Sequence, residues 1–191
     1  MTKRRAAMLM TILFFGLMPA MRSMGQANTD DQVTKDVIFG EFKAYDDPRK
    51  LFSVELPSNW EIKDHSDKDE INLGINDPSD NAAVSIHVWN QDKPLEGGTA
   101  QYLANYLKQT VASLTNYNQG EAKVQKDGST GIYFKWDESL KNGKTAKMWG
   151  DAFLEQRGNV VGMIIFLIPE EQYNQKKDQA YHLINSFHIR P

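Results

Sequence analysis

The segment Val160-Val161-Gly162-Met163-Ile164-Ile165-Phe166-Leu167-Ile168 carries no polar side chain. It has the length of a strand and no polar alternation, so both of its faces must be covered by other structure. Pro169-Glu170-Glu171 follows at once. Proline suits the first turn of a helix, and two carboxylates suit the positive end of the helix dipole. A helical pattern then runs over residues 169–185, with Tyr173, Lys177, Ala180 and Ile184 on one side, ahead of Ser186-Phe187. A doubly buried strand that hands directly to a covering helix requires a layered sheet-and-helix architecture. It carries no chemistry of its own.

Upstream, residues 51–56 alternate partly and end in Pro57-Ser58-Asn59-Trp60, with Asp46-Asp47-Pro48-Arg49 as the turn before them. Strands are predicted over 70–75 and 82–89, joined by the loop Asn76-Asp77-Pro78-Ser79-Asp80-Asn81. In the second of these, Val84, Ile86 and Val88 share one face, and Ser85, His87 and Trp89 share the other. A helix is predicted over 99–115 with Thr99 as N-cap and a stripe of Ala100, Leu103, Leu107, Val111 and Leu114. Strands follow over 121–125, 131–138, 145–155 and 159–168, with Asn142-Gly143 as a hairpin turn, because both residue types accept positive φ. Hairpin-length connections imply a mainly antiparallel sheet. The expected fold is α+β, a central antiparallel sheet flanked by helices on both faces.

The chain opens with Lys3, Arg4 and Arg5, then an apolar segment from Ala6 to Ala20, then Gly25-Gln26-Ala27. This is the layout of a signal peptide over residues 1–27; the rival reading is an uncleaved anchor, for which the apolar part is short. Residues 28–41 are expected to be a flexible tether, and 42–191 a single domain. Residues 1–27 hold four of the 22 Lys and Arg and none of the 25 Asp and Glu, so the remainder carries a formal charge of −7 against −3 for the whole chain. That acidity argues against non-specific nucleic-acid binding and against adhesion to anionic lipid. There is no cysteine, which excludes disulfides, thiolate metal sites and a lipid-modified cysteine.

No pattern of a known reaction is present: there is no Gly-x-Ser-x-Gly elbow, Ser-x-x-Lys, His-Glu-x-x-His or phosphate-binding loop. His65, His87, His182 and His188 lack metal-ligand spacing, although His182 and His188 straddle the end of the last helix. The 76–81 loop has oxygen ligands but no EF-hand pattern and reads as a turn. Trp60, Trp136 and Trp149 read as core residues rather than a sugar-stacking surface. His87 and Trp89 are the one pair that suggests a ligand groove; the competing reading is a half-buried pair beneath a helix. No catalytic residue, cofactor or metal is expected.

Phe52-Ser53-Val54-Glu55-Leu56-Pro57-Ser58-Asn59-Trp60 resembles the opening of the PsbP-like family, and Ile168-Pro169-Glu170-Glu171-Gln172-Tyr173 with Ile184-Asn185-Ser186-Phe187-His188-Ile189 resembles its ending. The resemblance spans residues 42–189. It implies an α/β/α sandwich used as a binding or assembly module. PsbP itself is an extrinsic photosystem II subunit, and a related fold serves a nuclear-transport protein that binds Ran. This chain lacks the lipid-attachment cysteine of many cyanobacterial relatives and the long docking arm of plant PsbP. The resemblance therefore implies a non-enzymatic accessory protein, periplasmic or extracellular, whose partner is another exported or membrane-associated protein. No stable membrane insertion is expected after signal cleavage.

Overall fold

The computed structural model describes residues 34–190 apart from 112, 141 and 142. The expected signal peptide, residues 28–33 of the tether and Asn142 of the hairpin turn lie outside the described residues. The strands are β1 (Phe42–Asp46), β2 (Phe52–Pro57), β3 (Glu61–Asp64), β4 (Glu70–Asn76), β5 (Ala83–Asn90), β6 (Thr115–Gln119), β7 (Lys123–Val124), β8 (Thr130–Ser139), β9 (Thr145–Arg157), β10 (Val160–Pro169) and β11 (His188–Ile189). The helices are α1 (Gly98–Thr110) and α2 (Glu170–Asn185). The large sheet runs β3-β4-β5-β10-β9-β8-β6 with β7 also on β8, and a small sheet runs β1-β2-β11. The described pairings are all antiparallel.

The apolar run is the central strand. Every residue of β10 is buried, between β5 and β9. Its side chains divide by the two-residue period of a strand. Ile164, Phe166 and Ile168 join a core with Val84, Ile86 and Val88 of β5 and with Tyr173, Ala180, Leu183 and Ile184 of α2. Val161, Met163, Ile165 and Leu167 join a second core with Phe134, Trp136, Met148 and Leu154 and with Leu103, Tyr106 and Leu107 of α1. Each large apolar side chain so buried contributes roughly 1.5–3 kcal/mol. Trp60 and Trp136 are buried, as expected.

Several local expectations change. Thr99 does not cap α1: the N-cap is Gly97 at φ 74, with no side-chain cap bond. The Thr99 hydroxyl instead bonds the Gly128 carbonyl at 2.9 Å and the Thr130 hydroxyl at 2.7 Å, fastening the helix start to the 125–130 turn. The helix stops at Thr110 rather than 115, and Leu114 lies beyond it, ahead of β6. Pro169 ends β10 and caps α2 at φ −56, ψ 132, rather than standing inside the helix.

Residues 34–41, expected to belong to a flexible tether, are packed as a strap. Val37 is fully buried. Its N–H donates to Gln172 Oε1 at 2.7 Å, while Gln172 Nε2 donates to the Lys35 carbonyl at 2.8 Å and to Thr34 Oγ1 at 3.1 Å. The Ile38 carbonyl accepts from Trp60 Nε1 and Asn59 Nδ2, and Phe39 packs 5.0 Å from the Trp60 ring. Side-chain amides thus replace the strand partner that this backbone lacks.

Candidate functional site

His87 lies on β5, opposite Asn72 of β4 and Met163 of β10, on the sheet face that bears α1. Its Nε2 is 2.9 Å from Glu70 Oε2, with both side chains mostly buried. Its Nδ1 is buried and has no hydrogen-bond partner. The ring stacks against Trp89 at 4.7 Å, and Trp89 in turn lies 6.0 Å from Tyr102 of α1. Burial raises the pKa of the Tyr102 hydroxyl, and the Glu70 charge adds to the shift. Burial does the same to Tyr106, with Tyr102 and then Glu70 contributing. The sequence-predicted pair is therefore brought together, with Glu70 and Tyr102 as neighbours that strand alternation alone does not reveal. The rings are in contact with one another. An open cleft of about 320 Å³ lies elsewhere, at the far end of β10, lined by Thr145, Ala146, Lys147, Pro169, Glu170 and Glu171.

The remaining histidines are separate. His182 Nε2 contacts Glu55 Oε2 at 2.6 Å on an exposed surface, and His188 sits opposite Ser53 on β11. No group of three metal-ligating side chains occurs among the described residues. In the 76–81 loop, Asp77 Oδ1 accepts the Asn81 and Ala82 amides, and Oδ2 accepts the Ser79 amide and hydroxyl. Asp77 is thus committed to the turn.

A second cluster lies on the opposite sheet face; the sequence places Trp149 in the core and Tyr173 and Lys177 on one side of the last helix, without joining them. Tyr133 of β8 stacks on Trp149 of β9 at 5.2 Å and 14°, and Trp149 stacks on Tyr173 of α2 at 4.3 Å and 17°. The Lys135 ammonium stands 4.4 Å from the Trp149 ring centre and pairs with Glu170 at 2.5 Å. The Tyr173 hydroxyl donates to Asp151 Oδ2 at 3.0 Å. Burial holds the Asp151 carboxyl above the usual carboxylate range, opposed by the Trp149 indole N–H, the Tyr173 hydroxyl and the Lys177 charge. The indole N–H points toward that carboxyl but falls short of a hydrogen bond. On the strands the sequence signal for this ladder is slight, a single aromatic, Tyr133, in the outward row of β8 and Trp149 with Phe153 in that of β9.

The architecture is a PsbP-like fold. It matches the cyanobacterial PsbP, CyanoP, of Synechocystis sp. PCC 6803 with TM-score 0.56 and 15% identity, over 87% of this chain and 99% of that one. The Saccharomyces cerevisiae Ran-binding protein Mog1p matches with TM-score 0.51 and 9% identity, over 78% and 96%. A Bacteroides thetaiotaomicron VPI-5482 protein matches with TM-score 0.50 and 15% identity, over 81% of this chain and 50% of that one. No protein-family model matches the chain, and no curated protein matches it by sequence.

Proposed function

We propose that this chain is an exported, non-enzymatic accessory protein that acts by binding another protein outside the cytoplasm, built as a sheet with a helix over each face. The observation that carries this reading is the end-to-end likeness to Mog1p, a Ran-binding protein, over 96% of its length. CyanoP shares the same fold over 99% of its length. Export rests on the signal-like residues 1–27. No helix among the described residues is long and apolar enough to cross a membrane.

The second reading is a small-ligand or metal carrier using His87 and Trp89. Its support is the buried, unpartnered Nδ1 of His87, since a carboxylate-bound imidazole presents its other nitrogen to a ligand. One experiment separates the two. The 28–191 domain serves as bait in an envelope extract, and the captured protein is purified and titrated back. A saturable binary complex is expected. No complex, together with a melting-temperature rise on adding zinc, a sugar or a lipid, would favour the carrier instead.

A further inference from the structure

No residue of the strap belongs to a strand of either sheet. Two side-chain amides read its backbone instead, and they do so in the same way. Gln172, in the first turn of α2, donates to the Lys35 carbonyl at 2.8 Å and accepts from the Val37 N–H at 2.7 Å. Asn59, in the turn after β2, donates to the Ile38 carbonyl at 3.0 Å and accepts from the Gly40 N–H at 2.7 Å. Each amide clasps a carbonyl and the N–H two residues on, and the second clasp repeats the first three residues later. Both clasped carbonyls take a further donor at 2.9 Å, Asn81 Nδ2 for Lys35 and Trp60 Nε1 for Ile38.

The inward side chains keep the same three-residue period. Thr34 and Val37 are buried, and Gly40 lies so close to Asn59 that an added Cβ would stand 2.5 Å from its Oδ1. Lys35, Asp36 and Ile38 face solvent, while Phe39 packs on Trp60. Gln172 and Asn81 are only 7% and 5% exposed, so the reading groups are built into the fold. The groove therefore recognises main-chain amides, one aliphatic side chain, one aromatic ring and one glycine. That is how proteins bind extended peptides: main-chain bonds supply affinity and side-chain pockets supply selectivity. Every bond named here runs from the strap to another element, so an identical strap on a second copy can make all of them. Glu41 is exposed and lies outside both clasps, which makes it the point where the segment can change grooves. Exchange of identical segments keeps each contact and is a low-cost route to a dimer.

We propose that the groove formed by Gln172, Asn59, Asn81 and Trp60 is a peptide-binding site that takes residues 34–40 of a second copy, giving a dimer by exchange of straps. The proposal is independent of the protein-binding reading above, because it is tested on purified protein alone. Two variants are made. Val37→Asp with Gly40→Ala spoils the strap and keeps the groove; Gln172→Ala with Asn59→Ala spoils the groove and keeps the strap. Melting curves check that both fold, and Gly40→Ala alone replaces the first if it does not. Each variant is expected to be a monomer by native mass spectrometry, and their mixture a heterodimer with one intact strap in one intact groove. Concentrated wild-type protein should show a dimer that Gln172→Ala with Asn59→Ala abolishes. A labelled peptide of residues 34–41 should bind the strap variant saturably and the wild type at least tenfold more weakly, since a short link holds the wild type's own strap at an effective concentration on the order of millimolar. Peptide binding without either dimer would overturn the exchange and leave the groove to an extended segment of another protein. Neither dimer nor peptide binding would overturn the site itself.

Discussion

Gly162 and Phe187 are in direct apposition: a Cβ added to Gly162 on the central strand would stand 2.8 Å from Phe187 Cζ and 2.3 Å from the Ile189 side chain. The one glycine in the apolar run is therefore where the chain's ending folds back onto the middle of the sheet. Phe187 is 1% exposed and lies 5.7 Å from the Phe52 ring, so the opening and closing segments meet over this glycine. Gly162→Ala should overpack this contact and cost about 1–3 kcal/mol. Chemical denaturation would measure it. An unchanged midpoint would show that the C-terminal segment docks more loosely than described.

The strap depends on Gln172. Gln172→Ala leaves the buried Val37 N–H without an acceptor and removes two further bonds to Thr34 and Lys35. A loss of about 1–3 kcal/mol is expected, since an unmatched buried donor bears its full desolvation cost. Amide exchange at Val37 should accelerate in the variant, while that of Ile164 on the central strand slows or accelerates only with global stability. Protection of Val37 equal to wild type would mean that the strap is held by Phe39 packing instead.

Asp151 sets a pH dependence whose sign follows from its burial. Its carboxyl is held above the usual range by burial, with Trp149, Tyr173 and Lys177 working against the shift. A raised folded-state value means that folding favours the protonated form. This contribution is fully present below the unfolded value of about 3.9 and is lost as pH rises through the folded value. Asp151→Asn fixes a neutral side chain that still accepts the Tyr173 hydroxyl. Its stability relative to wild type should therefore rise as pH increases through the window just above the ordinary carboxylate range. Denaturant midpoints from pH 3 to 7 test this, and a difference that is constant across pH would contradict it.

At the His87 corner, Glu70→Ala removes the partner of Nε2 at 2.9 Å and leaves a buried imidazole with neither nitrogen bonded. A loss of about 1–3 kcal/mol is expected. Glu70→Gln retains an oxygen acceptor and should lose less. If the two variants are equally stable, the Glu70 contact is not a structural bond.

The antiparallel sheet and both helices are legible in the sequence because they rest on strong signals. Residues 160–168 have no polar side chain, and Val84, Ile86 and Val88 alternate strictly, so burial and strand period agree. What escaped is explained by weak local signals overridden by tertiary contact. β3 is Glu61-Ile62-Lys63-Asp64, all exposed at a sheet edge, with no apolar alternation to mark it. β6 is Thr115-Asn116-Tyr117-Asn118-Gln119, polar and irregular in register, with Asn116 at φ 53. The strap looked like a tether because its partners, Gln172, Asn59 and Asn81, are distant side chains. His87 and Trp89 were placed together by strand period, whereas Glu70 comes from another strand and Tyr102 from a helix. Trp149 reads as core, and it does pack against the core through Tyr173, while its other face meets the half-exposed ring of Tyr133.

The most direct test of the protein-binding account is the native size of this protein in an extract of the cells that make it. Size-exclusion chromatography of undenatured extract, followed by detection of this protein, should find it in an assembly larger than the monomer. Elution of the wild-type protein wholly as a free monomer, at its cellular concentration, would contradict the account.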